Sequence, residues 1–207
     1  MGLALLGAAP KRLPSVCDAA SMARRPYGSS VREAAARDLA RAGGRDASVE
    51  IVEYDPRWPA RFDSERDRLL PLLPGAEIHH IGSTAVPGMP AKPVIDVMAL
   101  VEDLDAPIAA LTERAGYQYP EAFNAELSHR RWLCRPSAAH RTHHLHLVDE
   151  RGELDRHLRF RDRLRADSSL RHEYARLKRD LAERFGSDRE AYSEAKSAFI
   201  RRAETDA

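Results

Sequence analysis

The stretch Val94-Ile95-Asp96-Val97-Met98-Ala99-Leu100-Val101 limits the fold more than any other, being apolar and rich in β-branched residues except at Asp96. Such a run reads as a buried strand. A carboxylate in its middle costs free energy unless it is paired or binds a metal. Two readings therefore stay open for Asp96: an ion pair with a neighbouring Arg or Lys, or a cation site. Upstream, Ala76–Ile81 leads into Gly82-Ser83, and a proline-punctuated loop carrying Lys92 returns the chain to Asp96. Gly82 lets backbone approach closely, Ser83 offers a hydroxyl, and successive N–H groups in such a turn form an anion-binding concavity. Lys92 adds a flexible positive charge. A carboxylate one strand away suits Mg²⁺, which takes oxygen ligands and shares them with substrate phosphates. The pieces fit a nucleotide-phosphate site; the plain alternative is a tight strand–loop–strand connection.

Composition narrows the class. The chain has 207 residues, 31% charged and 43% apolar, with no apolar run long enough to span a bilayer. One domain with a sizeable core is expected, preceded by a tail. A formal charge of +1 gives no reason to expect nucleic acid or an anionic membrane as partner. Cys17 and Cys134 make neither a metal pair nor a disulfide framework, so a reducing cytoplasm is the expected location. Residues 1–48 are rich in Ala, Arg, Gly and Ser, with eight Lys/Arg against four Asp/Glu. They read as a disordered extension, or as a reading-frame artefact if Met22 is the start. Met1–Pro10 resembles a weak signal h-region but lacks a positive segment before it, so no signal peptide is expected.

The domain is expected over residues 49–203. Val49–Tyr54 alternates like a strand, and Asp55-Pro56 caps a helix whose apolar face is Trp58, Phe62, Leu69 and Leu73. Strands follow at Ala76–Ile81 and Val94–Val101, then a helix from Asp105 to Gly116 and strands at Arg130–Arg135 and Thr142–Val148. Three helices complete the chain. This order predicts an α/β (α+β) mixed sheet with helices on one side and a C-terminal helical subdomain.

On the strand His143-His144-Leu145-His146-Leu147, period two puts His144 and His146 on one face. Two imidazoles so spaced can ligate one metal or contact phosphate; the alternative is a half-exposed strand of hydrogen-bonded histidines. His79 and His80 point to opposite faces, so at most one lines the loop. In Ser168–Phe185 the stripe Leu170, Tyr174, Leu177, Leu181, Phe185 has helical period, with Lys178 at its edge. Lys196 lies one turn from Tyr192, and Arg161 follows Leu154 and Leu158 in the same manner. Such cations commonly snorkel, burying their stems and leaving their ends in water. The sharper expectation is that Arg161, Lys178 and Lys196 converge on the Gly82-Ser83 loop and grip a polyphosphate. Arg130 and Arg131 are further candidates, one on each face of their strand. Trp132 is a base-stacking candidate, with the core as the alternative.

The run His80-Ile-Gly-Ser-Thr-Ala-Val-Pro-Gly88, with Ala91-Lys-Pro-Val-Ile-Asp-Val97, resembles the signature of the GrpB family of the nucleotidyltransferase superfamily. The resemblance continues through Leu145-His-Leu-Val148, Phe160–Arg165, Tyr174–Lys178 and Tyr192–Ile200. A similar domain is fused behind dephospho-CoA kinase, where it is described as a folding accessory. The resemblance implies a nucleotidyltransferase-like fold that moves a nucleotidyl or phosphoryl group from an NTP to an acceptor with Mg²⁺. Gly82, Ser83, Lys92, Arg161, Lys178 and Lys196 would hold phosphates, Asp96 would hold the metal, and His144 or His146 would complete its shell or orient the acceptor. The superfamily pattern asks for a second carboxylate two residues after Asp96, on the same face, for a two-metal clamp. Here that residue is Met98, no ligand for a hard cation; Glu77 or Asp149 is then the substitute to look for. Met98 also favours the alternative function, a non-catalytic module that binds a nucleotide or a protein partner.

Overall fold

The computed structural model describes residues 49–205, so the expected tail 1–48 lies outside the described residues. Helix α1 (Trp58–Leu69) is followed by β1 (Glu77–Ile81), a 3₁₀ turn at Ser83–Ala85 and β2 (Ile95–Leu100). Helices α2 (Ile108–Ala115) and α3 (Glu121–Asn124) precede β3 (Arg130–Pro136) and β4 (Arg141–Val148). The chain ends in α4 (Arg151–Ala166), α5 (Ser168–Phe185) and α6 (Arg189–Thr205). The strands form one mixed sheet in the order β1-β2-β4-β3, with only β2 and β4 parallel. The expected fold class, α/β with a mixed sheet and a C-terminal helical part, is the observed one, but helices cover both sheet faces, not one, because Leu154 and Leu158 of α4 also pack on the sheet.

Sequence chemistry sets this order. β2 is central, and Ile95, Val97, Met98 and Ala99 are fully buried from both sides. On one face, Val97, Ala99, Leu145 and Leu147 pack under Trp58, Phe62 and Leu69 of α1 and Leu111 of α2. On the other, Met98, Ile81 and Val148 meet Leu154 and Leu158 of α4. The remaining area of that second face carries Asp96, His144 and His146 instead of apolar side chains. The helical subdomain has its own core, Tyr174, Ala175, Phe199 and Ala203, and Val86 and Met89 of the Gly82–Pro93 loop are buried in it. Each buried aliphatic side chain contributes roughly 1.5–3 kcal/mol, so the loop is packed into those helices.

Two local expectations are corrected. Val49–Tyr54 is no strand: only Val52 bridges, to Ala91, while the Val49 N–H bonds the Gly186 carbonyl at 2.7 Å. Alternation alone cannot make a strand when no edge is offered along its length. The first helix starts at Trp58, because the Asp55 carboxylate accepts the Arg57 N–H at 2.9 Å and holds a turn through Pro56. The predicted stop at Gly116 is found, in the left-handed conformation.

A buried polar group ties α1 to the sheet. Glu65, 1% exposed, accepts from the Tyr117 hydroxyl at 2.8 Å, from Arg68 at 3.1 Å and from the Arg135 guanidinium of β3.

Candidate functional site

Parallel pairing of β2 with β4 sets Asp96 beside His144 and Met98 beside His146. On that face Asp96 Oδ1 lies 2.9 Å from His144 Nδ1 and 3.8 Å from His146 Nε2. Burial keeps both imidazoles neutral, and His146 is pushed down to about 3 by burial with the Arg130 charge adding to it. Burial alone would raise the Asp96 carboxyl, but the hydrogen bond it accepts from His144 and the close approach of His146 hold it well below the usual carboxylate range. The Arg130 guanidinium contacts His146 Nδ1. A guanidinium only donates, so Nδ1 accepts and the His146 proton sits on Nε2, facing Asp96. His144 Nε2 is buried with no hydrogen-bond partner. The alternative reading, an ion pair of Asp96 with an Arg or Lys, is not found among the described residues, where its partners are the two histidines.

Glycine is obligatory where the loop meets this carboxylate. Gly82 has φ +70° and ψ −171°, a region essentially reserved for glycine. A Cβ there would also lie 2.5 Å from Asp96 Oδ2. Gly82→Ala is therefore expected to cost roughly 1–3 kcal/mol from backbone strain alone, more once the carboxylate is displaced, read as a lower midpoint in urea. Beyond it, Thr84 is locked between His80 Nε2, at 3.0 Å, and the Val94 carbonyl, at 3.2 Å. His80 itself stacks on Phe62 at 4.7 Å, and burial pushes it down to about 4. Of the histidine pair on β1, His80 fixes the loop from the core side, while His79 lies beside Glu77 on the other.

Lys178 of α5 reaches the loop from the helical side. Its Nζ donates to Ser83 Oγ at 3.0 Å and to the Pro90 carbonyl, and lies 5.0 Å from the centre of the Tyr174 ring. The residue is 2% exposed, and among the described residues no carboxylate pairs with it. Burial, with Lys196 and Arg179 nearby, pushes its ammonium down to about 7. Lys92 and Lys196 both face the Tyr192 ring, at 6.0 and 4.3 Å. Ser83, Lys92, Lys178 and Lys196 are thus brought together, and for Lys178 snorkelling is excluded by its burial. Arg161 does something else. It donates to the His80 carbonyl at 3.0 Å, and Arg165, one turn on, donates to the Ala85 carbonyl at 2.8 Å. The two arginines brace the backbone on either side of Gly82-Ser83. Arg165 was missed, although its i+4 spacing from Arg161 was visible. Arg130 faces the histidines, Arg131 pairs with Asp105 at 2.7 Å on the opposite side, and Trp132 lies half-buried against His144.

Among the described residues no second carboxylate joins Asp96. Met98 is fully buried beside Leu154. Glu77 pairs with Arg151, and Asp149 lies 3.6 Å from His129. Both sit at the Leu100 end of the sheet, roughly four residues or about 13 Å from Asp96. Among the described residues the metal-capable cluster is Asp96, His144 and His146, whose ligand atoms lie within 4.8 Å of one another. One carboxylate and two imidazoles do not fit a resident pair of magnesium ions, which need oxygen ligands.

A four-stranded mixed sheet with an acid–histidine cluster on one face, and a lysine-capped glycine-serine loop beside it, defines a small α/β domain with one polar patch on its sheet. The chain belongs to the GrpB family, whose model, described as GrpB protein, matches residues 48–206. It is 37% identical over 160 residues to a UPF0157 protein of Halalkalibacterium halodurans, covering 75% of this chain and 80% of that one. The crystal structure of the conserved protein GrpB from Enterococcus faecalis superposes with a TM-score of 0.67 at 35% identity, over 76% of this chain and 96% of that one. A dephospho-CoA kinase of Mycolicibacterium paratuberculosis is 31% identical over 189 residues, a match spanning 45% of its length. No described helix is long and apolar enough to cross a membrane.

Proposed function

We propose that the Gly82-Ser83 loop, with the acid–histidine cluster beside it, binds a nucleotide, or another phosphorylated small molecule, and transfers a nucleotidyl or phosphoryl group from it to an acceptor. The observation that carries this is Lys178, an ammonium buried on Ser83 with no carboxylate partner among the described residues. An unpaired buried cation is costly, and an entering phosphate would offset that cost. Lys92 and Lys196, facing one tyrosine ring, would spread further positive charge over the same anion. Fixed cations of this kind stabilise the charge that develops during phosphoryl transfer. Asp96, at the edge of the loop, supplies the carboxylate for a cation beside the phosphates.

A second reading has its own support. Met98 removes the carboxylate that a two-metal clamp needs, and about half of a dephospho-CoA kinase's length matches this chain. On that reading the domain binds a nucleotide or a protein partner and catalyses nothing.

A thermal-shift screen of the full chain with nucleoside triphosphates, dephospho-CoA and coenzyme A, with and without MgCl₂, tests binding. A ligand at a hundredfold its Kd should raise the melting temperature by roughly 5–10 °C. Asp96→Asn should diminish any cation-dependent part of that shift. No shift with any phosphorylated compound would overturn the proposal. A shift without turnover of a radiolabelled NTP would favour the binding module.

A further inference from the structure

We propose that Asp96, His144 and His146 hold one divalent transition-metal ion of borderline softness, the class of Zn²⁺ and Co²⁺, in place of magnesium. The ion's role in transfer rests on the phosphate reading proposed for this site, but its binding does not.

Sheet register carries the argument. In the parallel pair β2/β4, His146 stands directly beside Met98. The position where a second carboxylate would project from β2 is thus served from the neighbouring strand by an imidazole, while Met98 is released to the core against Leu154. The donor set changes from two oxygens to one oxygen and two nitrogens. Imidazole suits zinc, cobalt, nickel and iron, whereas magnesium demands near-ideal oxygen coordination.

The distances agree with one ion. Metal–nitrogen and metal–oxygen bonds of about 2.0–2.2 Å at tetrahedral angles put ligand atoms roughly 3.3–3.5 Å apart. Asp96 Oδ1 is 2.9 Å from His144 Nδ1 and 3.8 Å from His146 Nε2. All three ligand atoms lie within 4.8 Å of one another, so the adjustment asked of the side chains is about 1 Å. The Asp96 side chain is 29% exposed and those of His144 and His146 are 15% and 10% exposed. An ion would enter past Asp96 and keep its remaining positions open there, where it supplies Lewis acidity toward a bound phosphate.

Arg130 sets a condition. A neutral His146 that ligates through Nε2 must carry its proton on Nδ1, where the donor-only Arg130 now contacts it. Arg130 must turn away when the ion binds. Glutamine at position 130 offers an oxygen that accepts the Nδ1 proton, so Arg130→Gln should tighten binding. Partners of a ligating histidine commonly change metal affinity by about 10–100-fold.

The test uses the full chain after chelator treatment. Cobalt(II) chloride titration is read by visible absorption, zinc(II) chloride binding by equilibrium dialysis, and melting curves verify folding of each variant. Expected are one ion per chain, retention in excess MgCl₂, at least tenfold weaker binding in His146→Ala, no change in the exposed His172→Ala, and tighter binding in Arg130→Gln. No bound ion, displacement by magnesium at comparable concentration, or undiminished affinity in a folded His146→Ala would overturn the site. If His146→Ala does not fold, unchanged or weaker binding in Arg130→Gln overturns it. An ion bound without any nucleotide shift leaves this site standing and removes the transfer proposal; a nucleotide shift in chain that binds no ion does the reverse.

Discussion

Replacing Lys178 by methionine is expected to raise the melting temperature of the protein while removing its affinity for phosphorylated ligands. Methionine keeps most of the lysine's length and flexibility but brings no charge into a site that is 2% exposed. The cost of the buried ammonium shows in its titration, pushed by burial from 10.5 down to about 7. The sign for stability follows. Between pH 7 and 10 the unfolded chain keeps this proton and the folded chain has lost it, so wild-type stability rises with pH across that window. The rise from this group is on the order of 4 kcal/mol. Lys178→Met should remove that slope and be more stable at pH 7 by about 1–4 kcal/mol, the range seen when apolar side chains replace buried charges. Urea midpoints of both proteins from pH 7 to 9.5 check this. Parallel pH profiles would contradict it. A stabilised protein that has lost its ligand separates the role of Lys178 at the loop from any role in holding the fold.

The opposite outcome is expected at Glu65. Removing its carboxylate by Glu65→Ala strands the Tyr117 hydroxyl and the Arg135 guanidinium, and Arg135 Nε is already buried without a partner, whereas Arg68 is exposed and keeps its bond to the Ala115 carbonyl. Breaking a buried ionic group by deleting one member costs roughly 3–5 kcal/mol. Denaturant unfolding should show a loss of that size, whereas a loss below about 1 kcal/mol would mean that the group is solvated and contributes little. Arg135 lies opposite His143 in the β3/β4 register, so the same change should loosen the strand that carries His144 and His146.

What could be read from the sequence, and what could not, divides by the range of the interaction. Asp96 stands out because its apolar context is contiguous. The shared face of His144 and His146 follows from the period of a strand. The Gly82-Ser83 turn is likewise a local pattern. None of these reveals that His146 would stand beside Met98, since that depends on a parallel register between strands joined through α2, α3 and β3. Lys178 had the right helical position, yet a stripe-border lysine normally snorkels; its burial comes from the loop that packs against α5. Glu65 lies three residues after Phe62 and four before Leu69, on the apolar face of α1, but what compensates its charge there is not visible until Tyr117 and Arg135 are brought to it. Val49–Tyr54 failed in the other direction. Its alternation was real, but only Val52 found a backbone partner in the Gly82–Pro93 loop.

The most direct measurement is the titration of the Lys178 side chain itself, followed by NMR of the ¹³Cε-labelled lysine in the free protein and with saturating ATP. The account predicts a pKa of about 7 in the free protein, set by burial and the nearby Lys196 and Arg179 charges. With the nucleotide bound, it should rise by more than one unit as phosphate pairs with the ammonium. A Lys178 resonance that titrates near 10.5 in the free protein, or one whose midpoint does not move when ATP is added, would contradict it.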